Sequence, residues 1–108
     1  MATAEISFLV ADGKNIRGAG GLQAANLRSQ GTVQKITIGG ASVATSAAHS
    51  GTGPHCLVRI WTDGDCRIAC GAAPSATTNS LRLTGSASVP RVEYFTVEPG
   101  DKVAVISA

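Results

Sequence analysis

The sequence predicts an all-β protein, a single β-sandwich of about eight short antiparallel strands with jelly-roll or Ig-like connectivity and an irregular N-terminal arm. Three observations carry this. The apolar segments are short, rich in β-branched residues and mostly alternating in polarity. Gly, Pro and Asp signals punctuate them about every ten residues, the spacing of sandwich turns. A length of 108 residues suffices for one core and not for two.

The elements follow in order. Residues 5–11 alternate, with Ile6, Phe8 and Val10 on one face. Residues 12–31 are rich in Gly and Asn and read as an irregular arm, with room for a helical turn or two at 22–28 but no strong cap. The division is therefore a strand and Gly-rich arm over 1–31 and a sandwich body over 32–108. Residues 32–38 form a strand burying Ile36 and Ile38. Gly39 and Gly40 suit a two-residue primed hairpin turn, which would set Ile36 opposite Val43 with both inward. A small-residue loop spans 46–54. Residues 58–71, VRIWTDGDCRIACG, read as a strand, a tight turn and a strand. A loop over 72–80, a short strand at 81–83 and a connection over 85–90 lead to the last two strands, 91–97 and 102–107. The sequence Glu98-Pro99-Gly100-Asp101 between them fits a type II turn, Pro fixing the first central residue and Gly supplying the positive φ of the second. Type II turns splay hairpin strands, so the chain is expected to turn a corner there, from one sheet to the other.

Register is the question at residues 58–71. A three-residue loop, Thr62-Asp63-Gly64, with Gly64 in the left-handed position of a bulged turn, sets Ile60 opposite Cys66 and Val58 opposite Ile68. All apolar residues then point the same way, which a two-residue loop does not achieve. In this pairing Cys56 faces Cys70, Arg59 stands across from Arg67, and Trp61 across from Asp65. Like charges directly opposed on adjacent strands are destabilising, so a partner carboxylate is expected. Trp and Arg are enriched among interface anchors. Arg59, Trp61, Asp65 and Arg67 are thus the candidate protein interface. The competing expectation is a solvated face in which Trp61 stacks on an Arg stem and Asp65 screens both guanidinium groups.

Composition narrows the function classes. Hydrophobic residues make up 44% of the chain and charged residues only 15%, against about 25% charged in an average domain. The surface must be built largely from Ser, Thr, Gly and Ala, which favours an assembly in which much of it is covered. A net charge of +2 is too small to argue for nucleic acid, and no stretch reads as a membrane segment or signal peptide. The expected site of synthesis is the cytoplasm. Three cysteines, Cys56, Cys66 and Cys70, give neither a disulfide framework nor a zinc grid, and reduced, buried thiols are expected. His49 and His55 read as solvated loop residues rather than metal ligands. The glycines of RGAGG at 17–21 lack the spacing and βαβ context of a dinucleotide loop. No GxSxG marks a nucleophile, and the HxH pair of a metal-dependent cupin is missing. No enzyme activity, cofactor, metal or nucleic acid is expected.

Taken together, ITIGGASVATSA at 36–47, VRIWTDGDCRIACG at 58–71, the Ala-Pro-Ser-Ala loop and VEYFTVEPGDKVAVIS at 92–107 resemble a group of small virion structural proteins of tailed bacteriophages. The resemblance covers about residues 32–107, in core and turn positions. It implies a non-enzymatic role on the virion, as a capsid decoration or cement protein binding and stabilising the capsid exterior. Related placements at a head fibre or tail adaptor are alternatives. The implied partners are the major capsid protein or other virion proteins, and a self-associating ring or trimer, with a trimer as the expected homo-oligomer, would cover the neutral Ser, Thr and Ala surface. A rival from another class is a glycan-binding β-sandwich module using Trp61 as a stacking platform.

Overall fold

The computed structural model describes residues 2–15, 23–26, 33–52 and 56–108. Among them there is no helix, and nine strands form two antiparallel sheets. They are β1 (Thr3–Asn15), β2 (Gln23–Asn26), β3 (Gln34–Thr37), β4 (Val43–Ala44), β5 (Cys56–Thr62), β6 (Cys66–Gly71), β7 (Leu81–Leu83), β8 (Arg91–Thr96) and β9 (Lys102–Ser107).

The first sheet is four strands wide. β1 lies between β5 and an edge shared by two short strands, β3 against its first half and β2 against its second, and β8 closes the far side. The second sheet runs β4-β9-β6-β7. One core lies between the two. Ala4, Ile6, Phe8, Ile36, Ile38, Val58 and Ile60 come from the first sheet and its margins, and Cys66, Ile68, Leu83, Val103 and Val105 from the second. Strand alternation explains this membership, since every second residue of β5 and β9 points the same way.

The expected strands at 81–83 and 102–107 are present with those bounds, and Ile36 and Ile38 are buried. The expected type II turn is also present. Asp101 N–H donates to Glu98 O at 3.1 Å, and Gly100 has φ +86°. As the splay of such a turn requires, β8 and β9 belong to different sheets.

Three local expectations are corrected. Residues 58–71 are not a hairpin, because β5 pairs with β1 and β8 whereas β6 pairs with β7 and β9. The chain turns a corner at Asp63, Gly64 and Asp65. Val58, Ile60, Cys66 and Ile68 do all face the core, but from opposite sheets, so Ile60 lies across from Ile6 and Glu93, and Ile68 across from Val105 and Leu81. Gly64 does not have a positive φ. Its reason is space, as a Cβ there would lie 2.4 Å from the Cβ of Ala2. Asp63 holds the corner to β1, accepting from Thr3 N–H at 2.7 Å and donating its own N–H to Thr3 O at 3.3 Å.

The second correction concerns Gly39 and Gly40. They do not close a hairpin, since β3 joins the first sheet and β4 the second, where Val43 pairs with Val105 and is exposed. The third concerns the expected helical turns at 22–28. The part of that stretch that is described is β2, paired with β1 through Val10 and Asn26, Ala11 and Ala25, and Asn15 and Gln23. The RGAGG glycines and His55 lie outside the described residues.

Candidate protein interface

The corner at residues 63–65 sends the four candidate interface residues to different places. Arg59 and Trp61 sit on the outward side of the first sheet. Cross-strand rows there read Lys35, Glu5, Trp61, Val92 and then Ser7, Arg59, Tyr94. Arg67 points outward from the second sheet, and Asp65 lies at the corner. Arg59 is therefore not opposite Arg67, nor Trp61 opposite Asp65.

A like-charge opposition does occur, with another partner. Arg67 pairs directly across from Arg82 on β7. Asp65 answers it, accepting from Arg82 Nη2 at 2.9 Å and from Gly85 N–H at 3.1 Å, while Arg67 Nη1 donates to Ser80 O at 2.9 Å. The Arg82 hydrogen bond, then that of Gly85, hold the Asp65 carboxyl below the usual carboxylate range. Both charges are thus engaged within the chain, which makes this cluster a brace for the corner.

What remains on the first sheet is a patch of Arg59, Trp61, Val92 and Tyr94. Tyr94 is directly across from Arg59 and diagonal to Trp61, a separation aromatic side chains can span. Ser7 and Leu9 share this side but are buried, so the open part is the portion nearest β8, where Val92 and Tyr94 are exposed. Tyr94 and Val92 were missed by the sequence reading of the interface. The alternation of residues 91–97 marks Tyr94 as outward, on the face opposite the core-facing Phe95, but its place beside Arg59 comes only from the pairing of β5 with β8.

The expected loop histidine His49 is buried, in correction of the solvated reading. Gly51 N–H donates to its Nδ1 at 2.9 Å, so the proton is on Nε2, which donates to Leu9 O at 2.8 Å. Its ring packs against Phe8 with centroids 5.1 Å apart. The main chain of the same residue bonds the final turn, through His49 N–H to Asp101 O and Gly100 N–H to His49 O. His49 is therefore a strut between β1 and the β8–β9 corner.

None of the three cysteines is in a disulfide. Cys56 pairs across from Val10 and Cys70 across from Val103, so Cys56 does not face Cys70. Cys56 and Cys66 are buried, whereas Cys70 is exposed, in correction of the third buried thiol. Cys70 sits at the mouth of an apolar groove of about 200 Å³ between the sheets, lined by Val58, Ile68, Leu81, Phe95 and Val103 among others. Its S–H donates to Asp101 Oδ2 at 3.4 Å. Withdrawal from water, then the neighbouring Asp101 carboxylate, push the thiol up to about 11. A thiol so disfavoured as thiolate is a poor nucleophile and a poor metal ligand at neutral pH.

Among the described residues no group of three or more His, Cys, Asp or Glu side chains is placed to hold a metal ion, and no helix is long and apolar enough to cross a membrane. Comparison with protein-family models, with curated proteins and with solved structures gives no match for this chain.

Proposed function

We propose that the protein is a non-enzymatic structural component of a phage virion, binding the capsid exterior as a decoration or cement protein through the outward face of its first sheet. The observation that carries this reading is the patch of Arg59, Trp61, Val92 and Tyr94. Trp, Tyr and Arg are the residue types that dominate binding energy at protein interfaces, and here they lie adjacent on a rigid sheet. A carboxylate on the partner surface would pair with Arg59, which has Ser7 and Tyr94 as its cross-strand neighbours.

The strand orders support jelly-roll connectivity. The sheets read β3-β1-β5-β8 and β4-β9-β6-β7. From β3 to β9 the chain follows the first seven strands of a two-Greek-key jelly roll, and β1 fills the place beside β3 that the eighth strand takes in that fold. Jelly rolls recur in viral capsid and lectin domains, an association of fold rather than of site.

The test is co-sedimentation of the purified chain with capsids assembled without it. The chain is expected to pellet with them. Trp61→Ala and Tyr94→Ala should each weaken binding roughly tenfold or more, as anchor truncations do, while Arg67→Ala on the other sheet leaves it unchanged. Failure to pellet under assembly conditions overturns the reading. The adjacency of Trp61 and Tyr94 favours a glycan platform as the second reading, which a change in Trp61 fluorescence on a sugar panel would reveal.

A further inference from the structure

The free edge of β8 offers a second interaction surface, whose hydrogen-bonding pattern and charges fit one partner. Val97 N–H donates to Cys56 O at 3.0 Å. Strand alternation then turns the N–H and C=O of Arg91, Glu93 and Phe95 toward β5, and those of Val92, Tyr94 and Thr96 toward the open edge. No strand pairs with that side among the described residues. Edges of this kind are templates for adding another strand.

We propose that β8 pairs antiparallel with β8 of a second copy of this chain, about a twofold axis through Val92. Charge selects the register. With Val92 facing its own copy, Arg91 of each chain stands directly opposite Glu93 of the other, so both cross-strand pairs are of opposite charge. Centring the axis on Glu93 sets two carboxylates face to face. Centring it on Tyr94 leaves Arg91 opposite Val97 and Glu93 opposite Phe95, neither of which answers a charge. Arg91 and Glu93 already share one side of β8 and form an ion pair within the chain, so the dimer extends that pair into a four-membered network. Two N–H···O=C bonds between the Val92 residues close the axis. Pro90, which has no N–H to donate, then lies opposite Tyr94 and limits the ladder. The contact is isologous and closes as a dimer.

This inference stands independently of capsid binding, because its test uses the purified chain alone. Sedimentation equilibrium of the wild type should show a monomer–dimer equilibrium. Arg91→Glu and Glu93→Arg each place like charges opposite one another and should weaken self-association by roughly ten- to a hundredfold. An equimolar mixture of the two variants restores opposite charges at both positions and should form a heterodimer at wild-type strength, resolved by native mass spectrometry. Far-UV circular dichroism checks that each variant is folded, and Val92→Pro, which removes the axial donors without altering charge, should also give monomer. A strictly monomeric wild type, a trimer, or singly reversed variants that dimerise as well alone as mixed would overturn the proposal.

Discussion

Cys70 couples an exposed thiol to the final corner of the fold. Its S–H donates to Asp101 Oδ2, and the same oxygen accepts Glu98 N–H at 2.9 Å, so one carboxylate closes the turn and restrains the sulfur. Although the residue is exposed, its sulfur is partly withdrawn from water at the mouth of the groove, and this, then Asp101, raises the thiol to about 11. The folded state therefore favours the protonated form. The associated stabilisation is fully present below the ordinary thiol value of about 8.5 and is lost as pH rises through about 11. Alkylation of Cys70 by iodoacetamide, followed by mass spectrometry, should have its pH midpoint near about 11, and Asp101→Asn should lower it partway, because burial is the larger cause. A wild-type midpoint near the ordinary thiol value would contradict this account.

At the scale of elements, the corner between β5 and β6 depends on close approach rather than on backbone handedness. Gly64 meets Ala2, Asp63 binds both main-chain groups of Thr3, and Thr62 Oγ1 both donates to Gly64 O and accepts from Gly64 N–H. Gly64→Ala should cost about 1–3 kcal/mol, the usual range for overpacking. Ala2→Gly in the same chain should recover most of it in a double-mutant cycle followed by urea denaturation. A left-handed Gly64 would give a loss that Ala2→Gly does not relieve. This corner also shows why the sequence revealed faces but not partners. Alternation is local, so Val58, Ile60, Cys66 and Ile68 announced a common inward direction. Which strand lies beside each is settled by residues far away, such as Ile6 for β5 and Val105 for β6. Only where a turn carries its own chemistry, as Pro99 and Gly100 do, was a change of sheet legible. The candidate interface inherited the same weakness. Arg59 and Trp61 were visible as outward residues, while Tyr94 joined them only through the pairing of β5 with β8. His49 gave no local signal of burial, since its partners are main-chain groups at Leu9, Gly51 and the final turn.

For the whole molecule, the decisive fact is a single core to which both sheets contribute. Neither sheet has another apolar cluster among the described residues on which to survive alone. Unfolding should therefore be one cooperative transition. Ile68→Ala in the second sheet should destabilise by about 2–5 kcal/mol and shift the transition reported by Trp61 fluorescence, in the first sheet, to the same extent as that reported by far-UV circular dichroism. Separate midpoints for the two probes would show that the sheets melt independently.

The position of β1 has a consequence for biosynthesis. It precedes all of its partners in the chain, yet it occupies the interior of its sheet, flanked by β5 on one side and by β3 and β2 on the other. During translation Ile6 and Phe8 are made well before Ile60 and Val58, their cross-strand neighbours on β5. Until β5 is made, β1 has only the short edge strands β2 and β3 beside it, and the side that β5 covers is open, the interval in which a holdase would find it.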